Sequence, residues 1–186
     1  MVEASSGEQV IKLTQLDIKC KQSFEERQHY QLIFDSTGNC EVFFRYKAHL
    51  VEVNKLAIGI TAEKTSKADA IETLRKALVH CMRCGDRLVL QCGRLAIDFK
   101  QQFDGGPTNF PVDCIFNFNE WRKEENYKKI VRPDEDHDLM MNKKCYFMHK
   151  DFDLIVLQEN DGDDESKEEL KQKLPHLKNF DILLVQ

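Results

Sequence analysis

The sequence predicts an α/β protein whose mainly parallel sheet is covered by helices on both faces. Several short apolar runs lack polar alternation, which is typical of parallel strands buried on both faces. A long amphipathic segment followed by a glycine lies before one such run, and this succession is typical of a βαβ unit. The predicted strands are residues 32–34, 56–60, 88–90, 152–157 and 182–185, with a further one at 145–147.

The clearest predicted element is a helix over residues 66–84. Ser66 followed by Asp69 resembles a capping box, with aspartate in place of the usual glutamate or glutamine. Leu74 and Leu78 lie on its apolar stripe, and Gly85 stands where a left-handed residue ends a helix. Strand 88–90 follows directly. This helix–glycine–strand succession therefore predicts a βαβ unit.

Residues 30–186 are predicted to form one domain, preceded by an extension over residues 1–29. Residues 10–18 of the extension alternate apolar and polar side chains, which predicts either an edge strand or a docking segment. A short helix is predicted over 40–49, with Val42, Phe43 and Tyr46 on its apolar side. Glycine, proline and acidic residues near 104–143 predict an irregular insertion.

Composition indicates a protein of a reducing, cytoplasmic compartment. Seven cysteines, an odd number without framework spacing, predict free thiols. The net charge of −5 disfavours nucleic acid and acidic membranes as main partners. No apolar run approaches the ~20 residues needed to span a bilayer. We therefore expect protein partners, with no nucleic acid and no membrane.

A phosphate-binding turn is the first chemistry to look for in such a sheet. Phosphates bind where a strand turns into a helix, through backbone N–H groups, a lysine and a hydroxyl that holds magnesium. The turn after strand 32–34 has one glycine, no lysine and an aspartate of the wrong charge. Its residues are Asp35, Ser36, Thr37, Gly38 and Asn39. The sequence therefore predicts a degenerate turn that binds no cofactor.

A second turn leaves an alternative open. Residues 59–65 contain Lys64 and Thr65, but they lack a second glycine and place Glu63 beside any phosphate. Lys64 is the only lysine near a plausible strand-to-helix turn. If it met a phosphate, the chain would be a small nucleotide-binding or phosphotransfer protein with an unorthodox loop.

Other catalytic and metal-binding patterns are weak. Cys81 and Cys84 have a spacing that can hold zinc, with His80 before them and Cys92 beyond, but a second close ligand pair is lacking. Cys81 also falls on the apolar stripe of the predicted helix. Without a nucleophile elbow or a paired histidine and cysteine, we predict no catalytic residue and no metal site.

The order of these segments resembles a known family. Residues 32–38 resemble the strand and Asp-Pro-x-Gly turn that open the AAA module following the stalk of dynein heavy chains. The same turn is similar to one in ankyrin-repeat and IQ-motif proteins with a related solitary domain. Ser36 stands where dynein modules have proline. The further matching segments are 54–58, 71–78, 85–91, 145–147 and 151–156.

This resemblance implies a P-loop-like fold whose phosphate turn has lost its role. It also implies a non-catalytic structural or interaction module in the axoneme of a cilium or flagellum, with cytoskeletal protein partners. Two segments are candidate interfaces, the extension and the aromatic stretch 110–127; the alternative for the aromatics is that they cover one face of the sheet. The candidate interface residues are Leu13, Leu16, Phe116, Phe118 and Trp121.

Overall fold

A six-stranded, all-parallel sheet forms the centre of the computed structural model, which describes residues 7–186. The first six residues of the predicted extension lie outside the described part. The strands are β1 (Gln9–Ile11), β2 (Tyr30–Asp35), β3 (His49–Glu52), β4 (Arg87–Gln91), β5 (Asp153–Glu159) and β6 (Phe180–Val185). Their order across the sheet is β1-β6-β2-β5-β4-β3. The α/β prediction is confirmed, and the architecture is consistent with a P-loop-like fold.

Nine α-helices connect these strands within residues 7–186. They are α1 (Leu16–Arg27), α2 (Cys40–Lys47), α3 (Val53–Thr61), α4 (Lys67–Cys84), α5 (Phe99–Phe103), α6 (Val112–Ile115), α7 (Phe118–Trp121), α8 (Glu124–Tyr127) and α9 (Asp164–Lys173). In this part of the chain every helix is too short or too polar to cross a bilayer.

Successive strand residues point to opposite sides of the sheet, and in the core strands the residues on both sides are apolar. On β2, Leu32 and Phe34 join a large buried cluster beneath α3, α4 and the irregular middle segment near residues 104–143. Ile33 joins a second cluster. That second cluster contains Leu16 from α1 and Phe44 from α2. Helices therefore cover both faces, as continuous apolar runs predict.

Helix α4 confirms the predicted helix and both of its ends. The Ser66 hydroxyl accepts a hydrogen bond from the Asp69 backbone N–H at 3.0 Å and donates to the Asp69 carboxylate at 2.6 Å. Gly85 ends the helix with a φ of 76°, a left-handed conformation that glycine adopts without strain.

The strand predicted at residues 56–60 is wrong, because these residues lie in helix α3. The strand at this place in the chain is β3, a few residues earlier. Val53 and Ala57 are buried at a spacing of four, while Ile58 is 56% exposed, so the segment buries one face of a helix. A short apolar run does not by itself distinguish a strand from a helix.

Two smaller predictions also need correction. Helix α2 forms where expected, but it buries Cys40 and Phe44; of the predicted apolar side, Phe43 is half-buried against the second cluster, whereas Val42 and Tyr46 are exposed. Residues 145–147 form no strand; instead Tyr146 is buried and its hydroxyl donates to the Val79 carbonyl at 2.9 Å. In both cases tertiary contacts, rather than the local apolar pattern, decide which side chains are covered.

The N-terminal segment packs against the chain's own domain. Strand β1 pairs in parallel with β6 at the edge of the sheet, with Val10 opposite Leu184. Helix α1 follows and buries Leu16 and Cys20. The irregular middle segment, near residues 104–143, also contributes buried side chains to the larger cluster, among them Phe110, Ile115 and Tyr127.

Candidate functional site

The turn between β2 and α2 is closed by its own aspartate. One oxygen of the buried Asp35 carboxylate accepts hydrogen bonds from the Thr37 backbone N–H at 2.9 Å and from the Thr37 hydroxyl at 2.7 Å. The other oxygen accepts from the Cys40 backbone N–H at 2.8 Å. A carboxylate therefore holds the N–H groups that would bind a phosphate at a helix N-terminus.

The other residues of the turn are also engaged or unsuited to phosphate. Both the backbone N–H and the hydroxyl of Ser36 donate to the Val185 carbonyl, at 3.0 and 2.8 Å. Gly38 adopts a φ of 70°, and Asn39 donates its N–H to the Thr37 hydroxyl at 3.1 Å. An anion entering this turn would have to displace a buried carboxylate of the same charge.

Lys64 and Thr65 lie in a different environment from the one that a phosphate loop requires. They connect helix α3 to helix α4, so the element directly before them is a helix and not a strand. The backbone N–H groups of both residues donate to the Gly59 carbonyl, at 2.9 and 3.2 Å. These donors therefore close the C-terminus of α3, and the Lys64 side chain is exposed to solvent.

The carboxyl end of β4 carries an amide in an acidic setting. The Gln91 amide nitrogen donates to the Glu41 carboxylate at 2.6 Å and lies 3.4 Å from the Glu159 carboxylate. Ligands of parallel α/β sheets bind at this edge, beyond the carboxyl ends of the strands. Arg45 and Arg94 partly compensate these carboxylates, at 2.5 Å from Glu41 and 3.8 Å from Glu159. The closed Asp35 turn beside them still disfavours a polyphosphate.

A cleft of about 340 Å³ opens at the opposite edge of the sheet, where β4 and β5 begin. It is lined by both charges: the cations are Lys21, Lys47 and Arg87, and the acids include Asp86, Asp151 and Asp153. The Arg87 guanidinium is also paired with Asp17 at 2.5 Å. The cleft is thus polar and its charges are partly compensated.

Asp153 is the buried acid of this cleft. Its side chain is almost completely covered, and burial raises its pKa to about 7 despite the nearby Arg87 charge. One oxygen accepts from the Leu154 backbone N–H at 2.8 Å. Within residues 7–186 its other oxygen has no hydrogen-bond partner. At neutral pH this carboxyl group is therefore close to its protonation midpoint.

The structure brings together two of the residues in the cysteine motif and separates the others. His80 Nε2 lies 3.9 Å from Cys84 Sγ and 3.9 Å from an oxygen of Asp86. Cys81 and Cys92 are buried in the core instead. Sequence reasoning missed Asp86 as a member of this group, although the i, i+4 spacing of His80 and Cys84 already places those two side chains on one helix face.

The residues proposed for an interface are largely internal, so that assignment is corrected here. Trp121 and Phe116 are fully buried in the larger cluster, where Phe118 is 4% exposed. Leu16 of α1 is fully buried in the second cluster, against which the half-buried Leu13 packs. Aromatic side chains bury large apolar areas, so covering the sheet is the more favourable use of them. None of the four buried side chains is accessible to a partner in the folded chain.

A group of exposed apolar residues was missed. Leu139, Met140 and Met141 are 62%, 84% and 67% exposed at the tip of a loop. The available signal was a run of three large apolar residues between an acidic stretch and two lysines, in a segment without helix or strand periodicity. A short apolar run can also be a buried strand, so the structure was needed to show that these side chains are exposed, which makes them candidates for a contact surface.

Together, the fold and the turn define an all-parallel α/β protein, consistent with a P-loop-like architecture, in which the phosphate position is filled by the protein itself. Comparison of the chain with protein-family models, curated proteins and solved structures found no match.

Proposed function

We propose that the protein is a non-catalytic interaction module, held in a protein assembly through the loop over residues 138–142. The observation that carries this proposal is the exposed tip formed by Leu139, Met140 and Met141. The sequence resemblance to axonemal proteins favours a ciliary or flagellar complex as that assembly, with a cytoskeletal protein as the partner.

The loop is ordered by its own hydrogen bonds. One oxygen of the Asp138 carboxylate accepts from the backbone N–H groups of Met140 and Asn142, each at 2.9 Å, and the other accepts from the Asn142 side-chain amide at 2.8 Å. An antiparallel bridge between His137 and Lys143 closes the base. An ordered loop loses less conformational entropy on binding, and methionine adapts its shape to an apolar pocket.

Absence of catalysis is the second part of the proposal. It is supported by Asp35, whose carboxylate takes up the N–H groups of the strand-to-helix turn. The alternative of a phosphotransfer protein depended on Lys64. This residue lies between two helices and not in a strand-to-helix turn, and that position argues against a phosphate-binding role.

A loop variant tests the interaction role. Replacing Leu139, Met140 and Met141 with serine should abolish co-sedimentation with isolated axonemes, because the apolar contact is removed. The free energy of unfolding should change by less than about 0.5 kcal/mol, since the side chains are exposed. The matched control replaces two exposed residues of α2, Val42→Ser with Tyr46→Ser, and should bind like the wild type.

Two outcomes would contradict parts of this proposal separately. Normal axoneme binding by the loop variant would reject the loop as the contact. A photo-reactive residue at position 140 that crosslinks only to a non-axonemal protein would keep the interaction role but reject the ciliary assignment.

A nucleotide titration tests the absence of nucleotide binding. Because ligand binding stabilises the folded state by mass action, the melting temperature should stay constant on addition of millimolar Mg-ATP or Mg-GTP. A rise in melting temperature that Lys64→Ala abolishes would instead favour the phosphotransfer alternative.

A further inference from the structure

The last turn of α4 presents two metal-binding side chains to the same side. His80 and Cys84 are separated by four residues, and Cys84 Sγ lies 3.9 Å from His80 Nε2. The left-handed Gly85 then folds the chain back, so that the Asp86 backbone N–H donates to the Cys81 carbonyl at 3.1 Å. This reversal brings the Asp86 carboxylate within 3.9 Å of the same His80 nitrogen.

Strand β3 adds a second imidazole to the group. His49 is the first residue of β3 and lies opposite Leu88 of β4, two residues after Asp86. The ring centroids of His49 and His80 are 5.6 Å apart. The four side chains therefore come from the start of an edge strand, the end of a helix and the turn between that helix and β4.

The donor set and its spacing match one kind of ligand. The ligand atoms of His80, Cys84 and Asp86 all lie within 4.8 Å of one another. Tetrahedral ligands placed ~2.0–2.3 Å from zinc are themselves about 3.3–3.8 Å apart, so a movement of roughly 1 Å or less closes these three around an ion. His49, whose ring centroid lies 5.6 Å from that of His80, is outside this group of three and is the candidate for the fourth donor.

We propose that His49, His80, Cys84 and Asp86 bind a zinc ion. Two imidazoles, one thiolate and one carboxylate are the N, S and O donors that zinc accepts in tetrahedral geometry. Calcium and magnesium take oxygen ligands, and a site with one thiolate and two imidazoles disfavours both. On binding, the Cys84 thiol loses its proton to solvent as its sulfur coordinates the metal.

The ion would connect edge strand β3 to the C-terminus of helix α4. Within the described residues, β3 is paired on one side only, with β4. Four protein ligands leave no open position, so the site is a structural clamp between β3 and the C-terminus of α4. It is independent of the loop over residues 138–142 and of the interaction role proposed for it.

Cobalt substitution tests the site directly. Purified full-length protein is stripped with EDTA under reducing conditions and titrated with Co²⁺. One equivalent should give a sulfur-to-cobalt charge-transfer band and the intense visible bands of tetrahedral Co²⁺, both removed by one equivalent of Zn²⁺. Cys84→Ser should lose the charge-transfer band, whereas the control Cys145→Ser, which removes an exposed cysteine, should keep it.

The fourth ligand is tested with His49→Ala, measured by competition with a chromophoric zinc chelator. We expect zinc affinity to fall at least about tenfold, a loss at the lower end of those seen for residues that support metal sites. Zinc should also raise the melting temperature of the wild type more than that of Cys84→Ser.

Three results would overturn the proposal, two from the cobalt spectrum and one from the zinc affinity. One is the absence of a charge-transfer band at stoichiometric Co²⁺, because a cobalt–thiolate bond to Cys84 would produce it. The other is a band that persists in Cys84→Ser and disappears in Cys145→Ser. Equal zinc affinity of wild type and His49→Ala would reject the four-ligand clamp.

Discussion

Two buried aspartates at opposite edges of the sheet have contrasting surroundings. Asp35, at the carboxyl end of β2, accepts three hydrogen bonds that fix the start of α2. Asp153, at the first position of β5, has one oxygen without a partner within residues 7–186. Burying a carboxylate without hydrogen bonds is costly. Asp35 therefore stabilises its turn, whereas Asp153 destabilises the fold when it is ionised.

Replacing Asp153 with asparagine should change how stability depends on pH. The pKa of Asp153 is raised from 3.8 to about 7 by burial, so the folded state binds the proton more tightly than the unfolded chain. Its contribution to stability is fully present below pH ~4 and is lost as the pH rises through 7. Asp153→Asn should therefore be more stable than wild type at pH 8, by up to a few kcal/mol at ~1.4 kcal/mol per pKa unit.

Urea unfolding between pH 5 and pH 8 measures this effect. The difference in the free energy of unfolding between variant and wild type should grow with pH across this window. Asp151→Asn changes an exposed carboxylate of the same cleft and should run parallel to the wild type. A constant difference between Asp153→Asn and wild type would contradict the raised pKa.

Helix α4 connects the sheet to the irregular middle segment. Its apolar stripe packs on the sheet, while its buried Arg75 connects it to the irregular middle segment. The Arg75 guanidinium donates to the Glu135 carboxylate through both terminal nitrogens, at 2.6 and 2.8 Å, and to the Ile130 carbonyl at 2.7 Å. It also pairs with Glu72 on its own helix. This arginine holds residues 128–136 against the domain.

Removing that arginine should release the middle segment. Arg75→Met leaves the partly buried Glu135 without its cation, and breaking a buried ion pair costs about 3–5 kcal/mol. Chemical denaturation should show this loss, and amide hydrogen exchange should quicken within residues 128–136. Lys76→Met is the matched control, because Lys76 is exposed and lies 3.8 Å from Glu72; it should cost less than ~1 kcal/mol. Equal losses in the two variants would refute the assignment.

At the scale of the whole molecule, two apolar clusters lie on the two faces of one sheet. The larger cluster takes in the helices α3, α4 and α9 and most aromatic residues of the middle segment. The smaller cluster lies beneath α1 and α2. Irregular backbone thus supplies a large share of one face, and the segment predicted as an irregular insertion contributes to the core.

Trp121→Ala tests that role for the middle segment. Trp121 is fully buried in the larger cluster, and removing a buried tryptophan costs about 3–5 kcal/mol. Thermal and urea unfolding should both show the loss. Phe147→Ala, at a side chain that is 52% exposed, is the control and should change stability little. An unchanged melting curve for Trp121→Ala would contradict its place in the core.

The sequence by itself determined the fold class, helix α4 with both of its ends, and the four strands that run uninterrupted through the core. These features depend on local rules: continuous apolar runs for strands buried on both faces, Ser66 at a helix start and Gly85 at its end. It also predicts, from residue types alone, that the turn after β2 is no phosphate site, and the nucleotide titration tests that prediction.

Only the tertiary structure decided where the short apolar runs go and which polar groups meet. Residues 56–60 became a helix because burial of Val53 and Ala57 selects one helical face. The group of His49, His80, Cys84 and Asp86 depends on pairing β3 with β4, since contacts across long sequence separations leave no local pattern. For the same reason, burial of Trp121 and exposure of Leu139 could be separated only by the way the whole chain packs.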